Sequence, residues 1–256
     1  MPPGAIPLVR TGVLLPFVRF LDEIGAPWER LLETARLSPH IVHRPDALLP
    51  LHQGLKFLDH AARSQGVENL GMLVGQQTRL MELADLGQLL SPAMTLSATL
   101  ALLAKVVGLY SSGERLTLGH RGDKAVFSHA FRFGEATGRR HGDFFTLMLM
   151  IDVIRLAAGP GWRPSAVWLC VSEAGRRTFY ESTLGTAVSF AANCWAVVFD
   201  RSLLDERLCY CRPARGPCRP IPSTCCGKQH LPGISSGRCA SSSPHCCRTA
   251  ILASAR

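Results

Sequence analysis

The residues Gly233-Ile-Ser-Ser-Gly237 carry the spacing of a nucleophile elbow, in which a serine held on a strained turn attacks an acyl carbon. That turn needs a strand before the serine and a helix after it. Here the motif lies in a run of Pro, Ser and Cys that supplies neither pattern. No P-loop, G-x-G-x-x-G fingerprint or H-E-x-x-H zinc helix occurs. Three histidines, His120, His129 and His141, stand near the carboxylates Asp123, Glu135 and Asp143, residue types that serve as acid–base pairs. His120 and His129 are read as the polar-facing residues of a hairpin, and His141 follows Arg139-Arg140 at a helix start. All three are expected at the surface, no catalytic residue is assigned, and the chain is read as a non-enzyme.

A second constellation points to binding. Asp152 and Arg155 lie three residues apart in the most apolar stretch of the chain, where one helix face would carry both and let them pair. Trp168 and Trp195 fall in two different strand-like runs, and Phe144-Phe145 open the apolar stretch. Core packing explains such aromatics, and so does an apolar ligand pocket between helix and sheet. Phe145, Asp152, Arg155, Trp168 and Trp195 are the candidate ligand-contacting residues, and a small hydrophobic or amphipathic molecule suits them better than a sugar. No cofactor and no metal is implied.

From Leu208 to Arg256 the composition changes. That stretch holds eight of the ten cysteines, six prolines and seven Lys or Arg, with no acidic residue. The preceding 207 residues carry 21 Lys and Arg against 19 acids, so the isoelectric point of about 9.3 reflects the last segment and not a nucleic-acid-binding face. Cys209-x-Cys211, Cys225-Cys226 and Cys246-Cys247 include no C-x-x-C pair, and adjacent thiolates seldom aim at one tetrahedral metal. Without a signal peptide a disulfide scaffold is disfavoured too. The segment reads as a disordered, out-of-frame peptide. Cys170 and Cys194 lie in apolar runs and are expected as small buried hydrophobes. The longest apolar run, Phe144–Ile151, is far short of the roughly 20 residues of a membrane span, so a cytoplasmic protein with no membrane partner is expected.

The elements that would position these residues follow from periodicity. Helical spacing of apolar residues runs through 13–24, 28–35 and 48–63, and Thr95 is placed to cap a helix over 96–110. Alternation over 115–120 and 124–131, around Arg121-Gly122-Asp123, predicts a hairpin. A long helix over 138–158, apolar nearly all round and closed by Gly159-Pro160-Gly161, should be buried. Strands at 166–171, 188–191 and 195–199 and a short helix at 176–184 complete an α+β class: an N-terminal helical layer, then a small, mostly antiparallel sheet packed with one long helix. A boundary near 112 has no linker composition to mark it, so residues 8–207 are read as one domain and 208–256 as a tail.

Leu86-Gly-Gln-Leu-Leu-Ser-Pro-Ala-Met-Thr-Leu-Ser-Ala-Thr-Leu100, with Gly161-Trp-Arg-Pro-Ser-Ala-Val167, Tyr180–Phe190 and Phe199-Asp-Arg-Ser-Leu-Leu204, resembles the N-terminal effector-sensing domain of AraC-type bacterial transcription regulators, the arabinose-binding type. The likeness extends over about residues 8–208. It implies a sensor domain that binds a small-molecule effector, and DNA as partner of intact relatives through a C-terminal domain with two helix-turn-helix units. Two departures stand out: Ser172-Glu-Ala-Gly175 replaces the His and Pro usual after that strand, and nothing after Leu208 has the helix-turn-helix pattern. The expectation is a truncated regulator without specific DNA binding. The alternative is a stand-alone small-molecule-binding or dimerisation module, with homodimerisation left open.

Overall fold

Two short pieces of extended chain, β1 (Leu8–Arg10) and β2 (Leu48–Pro50), pair antiparallel and clamp the start of the molecule. We describe residues 5–83, 85–90, 94–134, 136–171, 176–190 and 194–208 of a computed structural model. The Gly233–Gly237 motif, Glu135, Ser172–Gly175 and the whole of 209–256 lie outside the described residues. The expected helix over 48–63 begins as β2 instead, and α3 (Leu51–Ser64) starts only after Pro50, whose missing N–H suits it to the edge of a helix. Helices α1 (Leu15–Glu23), α2 (Trp28–Thr34), α4 (Leu70–Gln77), α5 (Leu86–Leu89) and α6 (Leu96–Tyr110) build the rest of the helical layer. The Thr95 hydroxyl caps α6 by accepting from Ala98 N.

Among the described residues, five strands form the main sheet in the order β3 (Glu114–Arg121), β4 (Lys124–Phe131), β7 (Trp195–Asp200), β5 (Ala166–Leu169) and β6 (Val188–Phe190). The β3–β4 turn uses Gly122 at φ +59°, a conformation other residues avoid. Every pairing is antiparallel except β5–β6, which α8 (Arg177–Leu184) connects as a crossover.

Helix α7 (Arg139–Ala158) lies between the layers. Twelve of its twenty residues are buried, because α3 and α4 cover one side and β4 and β7 the other. Phe144 stacks on Tyr180 (5.4 Å) and meets Trp195 edge-on (4.8 Å), a packing worth several kcal/mol in buried apolar area. Helix α4 approaches α7 through Gly71 and Gly75: a Cβ on Gly71 would sit 1.9 Å from His141 O, and one on Gly75 would sit 2.6 Å from Met148 Cβ.

The two cysteines of the described part differ from expectation. The strands end at Leu169 and begin at Trp195, leaving Cys170 exposed and Cys194 half-buried at the sheet's end. At its C-terminal side the described chain returns to α6. The 3-10 turn Arg201–Asp205 packs on that helix, Arg207 bridges Thr95, Leu96 N donates to Glu206 O (2.8 Å) and Leu208 N to Met94 O (3.1 Å). Among the described residues, no helix is long and apolar enough to cross a membrane.

Candidate functional site

The hairpin β3–β4 alternates, and its inward phase carries Glu114 and Leu116 on β3 with Phe127, His129 and Phe131 on β4. Opposite stands the face of α7 that bears Phe145, Thr146 and Leu149. Helix α3 contributes Leu51, Leu55 and Leu58, α6 contributes Leu103 and Tyr110, and Phe17 comes from α1. These surfaces do not meet. They border a cavity of about 100 Å³ whose walls are almost entirely hydrocarbon. A space of that size holds several non-hydrogen atoms, where native interiors leave few voids larger than a water.

One end of the cavity is polar. Ser111, at the end of α6, is 3% exposed, and its Oγ has no hydrogen-bond partner among the described residues. Glu114 follows, its side chain 14% exposed, accepting one long hydrogen bond from the Thr146 hydroxyl (3.4 Å). Burial, reinforced by the nearby Asp143 carboxylate, pushes the Glu114 carboxyl up to about 8. Behind it His129, 1% exposed, has Nε2 3.8 Å from Glu114 Oε1 and Nδ1 3.5 Å from Asp143 Oδ1. Burial, helped by the Arg139 guanidinium, lowers its pKa to about 3, so the ring is neutral. Arg139 Nε stands 3.5 Å from Asp143 Oδ2 and closes the chain of polar groups. The two ring nitrogens face different carboxylates, so these residues do not converge on one point as metal ligands would. Among the described residues, no group of His, Cys, Asp or Glu could hold a metal ion.

This cluster corrects the surface placement expected for two histidines. His129 shares the phase of Phe127 and Phe131 and so points inward, and His141 is 7% exposed beneath α4, with burial lowering its pKa to about 4. His120 is exposed, as expected.

The five candidate ligand-contacting residues are not brought together. Phe145 lines the cavity and packs on Phe17 with ring centres 4.7 Å apart and the planes tilted by 49°. Asp152 is buried on another face of α7, where it accepts from Arg79 Nη1 and from Leu80 N, both at 2.8 Å. The expected Asp152–Arg155 pair is not formed. Arg155 Nε donates instead to Trp162 O (3.2 Å), while Asp152 is taken up by Arg79 and the Leu80 N–H. Trp168 is out of phase with the inward Val167 and Leu169 and lies on the far face of the sheet, under the Arg121 guanidinium (5.2 Å to the ring centre). Trp195 packs on Phe144 and borders a separate polar cleft with Arg139 and Arg140. The cavity thus lies against the β3–β4 end of the sheet, and the sequence reading missed Ser111, Glu114 and Thr146.

Comparison with known proteins bears on this arrangement. The profile of the arabinose-binding domain of AraC transcription regulators, N-terminal, matches residues 25–208. A search of curated proteins found no match to the chain. Among solved structures, the transcriptional regulator CdpR from Pseudomonas aeruginosa superposes with a TM-score of 0.56 at 16% identity, over 77% of this chain and 57% of that one. The likeness to CdpR is one of fold, and this chain spans little more than half of that regulator's length. Both comparisons lead to transcriptional regulators and neither to an enzyme. With a helical layer, a small sheet and a long buried helix in place, and most of its length matched by one profile, this chain belongs to the family of N-terminal arabinose-binding domains of AraC transcription regulators.

Proposed function

We propose that residues 8–208 act as an effector-sensing domain, taking a small, mainly apolar molecule into the cavity between α3, α6, α7 and the β3–β4 hairpin. The observation that carries this reading is the cavity itself, about 100 Å³ of hydrocarbon-lined space between the helical layer and the hairpin. The family's name offers arabinose, but each buried sugar hydroxyl needs a partner. Tyr110, Ser111, Glu114 and Thr146 supply polar side chains at one end, and the rest of the wall is apolar. An effector with an apolar body suits that wall.

Binding would regulate transcription by favouring one conformation of the domain over another, and only a difference in affinity between the two can do so. The family match ends at residue 208, where the composition changes to Cys, Arg, Pro and Ser without a single acid. We read residues 209–256 as not supplying the helix-turn-helix domain, which leaves this chain a sensor without specific DNA recognition. A thermal-shift screen of small apolar metabolites tests the sensing role: the expected result is a rise in melting temperature that Leu103→Trp, which fills the cavity, abolishes. Ligands that stabilise the Leu103→Trp variant equally would place binding elsewhere and refute the reading.

A further inference from the structure

We propose that the polar end of the cavity, formed by Ser111, Glu114 and Thr146, selects an ammonium group carried on a small apolar body, so that the effector is an apolar amine. The inference rests on the cavity being the effector site. Its basis is a mismatch between what this end offers and what it lacks. Among the described residues it offers acceptors: the Glu114 carboxyl, which takes a single 3.4 Å bond from Thr146, and the Ser111 hydroxyl, buried without a partner. It lacks a cation. His129 Nε2, at 3.8 Å from Glu114, is on a neutral ring, and Arg139 lies against Asp143 on the far side of that ring.

A buried carboxylate is costly unless a positive group or several donors face it. An ammonium brings three N–H donors and a charge, which Glu114 and Ser111 can meet together. A neutral alcohol satisfies Ser111 but brings no charge to Glu114, which then simply keeps its proton. A carboxylate ligand would bring a second anion close to Asp143, with no cation to balance it, and would hold Glu114 still more firmly in its protonated form. The expected order is amine, then alcohol, then carboxylate.

The order has a proton signature. Glu114 holds its proton near neutrality, so an arriving ammonium displaces it and amine affinity rises with pH up to about 8. Of the other titratable groups at this end, His129 from β4 is neutral and Tyr110 from α6 protonated over that range, while Asp143 and Arg139 on α7 face each other.

The test is calorimetric titration of the full chain under reducing conditions with benzylamine, benzyl alcohol, benzoate and toluene. Benzylamine should bind about tenfold more tightly than benzyl alcohol, a modest gain for a charge-assisted bond, with release of one proton near neutral pH; benzoate should not bind. Glu114→Gln keeps the shape and should bind benzyl alcohol and toluene as before while losing the preference for the amine. If benzyl alcohol and toluene bind but the amine is not preferred, or if Glu114→Gln keeps the preference, the ligand class is wrong and the cavity reading stands. If none of the four probes binds, both fall.

Discussion

Stability should peak near pH 6.5, and Glu114→Gln should remove the fall on the alkaline side. In the unfolded chain Glu114 titrates near 4.5 and in the fold at about 8. Between those values the folded protein holds a proton that the unfolded chain has lost, so stability falls as pH rises, by about 1.4 kcal/mol per unit. His129 and His141 act in the opposite sense. Their ordinary value is 6.5 and burial depresses them to about 3 and about 4, so below pH 6.5 the unfolded chain takes up protons that the fold refuses. Acidification from 6.5 towards 4.5 therefore loses two histidine contributions and regains one from Glu114. From pH 6.5 to 8 Glu114 acts alone among these groups, for a loss of about 2 kcal/mol. The assay is urea unfolding of the full chain, followed by circular dichroism in reducing buffer at closely spaced pH values. In Glu114→Gln the acidic limb should steepen and the alkaline limb become flat. A wild-type profile that is level from pH 6.5 to 8, or a Gln variant that still falls there, would refute the placement of Glu114 as a buried, cation-less carboxyl.

Further outcomes follow from contacts described above. Gly71→Ala should destabilise by about 2 kcal/mol or more, since the new methyl meets His141 O at 1.9 Å and α4 must lift off α7; denaturant midpoints check this. Asp152→Ala should cost about 2–3 kcal/mol by stranding the buried Leu80 N–H, and Asp152→Asn, which keeps an acceptor there, should cost less. Ending the chain after Leu208 should leave thermal unfolding within about 1 kcal/mol of the full chain, whereas ending it after Asp205 removes the bonds to Met94 and Leu96 and should lower the melting temperature measurably. Binding to random duplex DNA should be weak and should collapse with salt; a footprint on one operator that survives physiological salt would overturn the reading of residues 209–256.

Elements whose causes are local were legible along the chain. Thr95 caps α6 and Gly122 turns the hairpin because single residues carry those instructions. The burial of α7 followed from an apolar pattern with no polar face. His129 was misplaced although a signal existed: it lies two residues from both Phe127 and Phe131, and alternation puts all three on one face. Glu114 precedes the expected hairpin start at Arg115 but shares the phase of Leu116, so one more residue of strand would have found it. Asp152 pairs with residues more than 70 positions away, and no spacing within a helix announces such a partner. The cavity was beyond reach for a related reason. Its walls come from five helices and a hairpin, and an unfilled volume is a property of how side chains fail to meet, not of any repeat in one segment.

Helix α6 gives the described chain a mechanical character. It is a run of 15 residues, about 22 Å from end to end. At one end Tyr110 and Ser111 wall the cavity; at the other, Thr95 and Leu96 are bonded to Arg207 and Glu206, just before the described chain ends. The cavity and the last described residues are thus mounted on one shaft. If the proposed effector tilts α6 on entering the chamber, the bonds from Leu96 to Glu206 and from Leu208 to Met94 would carry that tilt to Leu208 as a change of orientation and not merely of proximity.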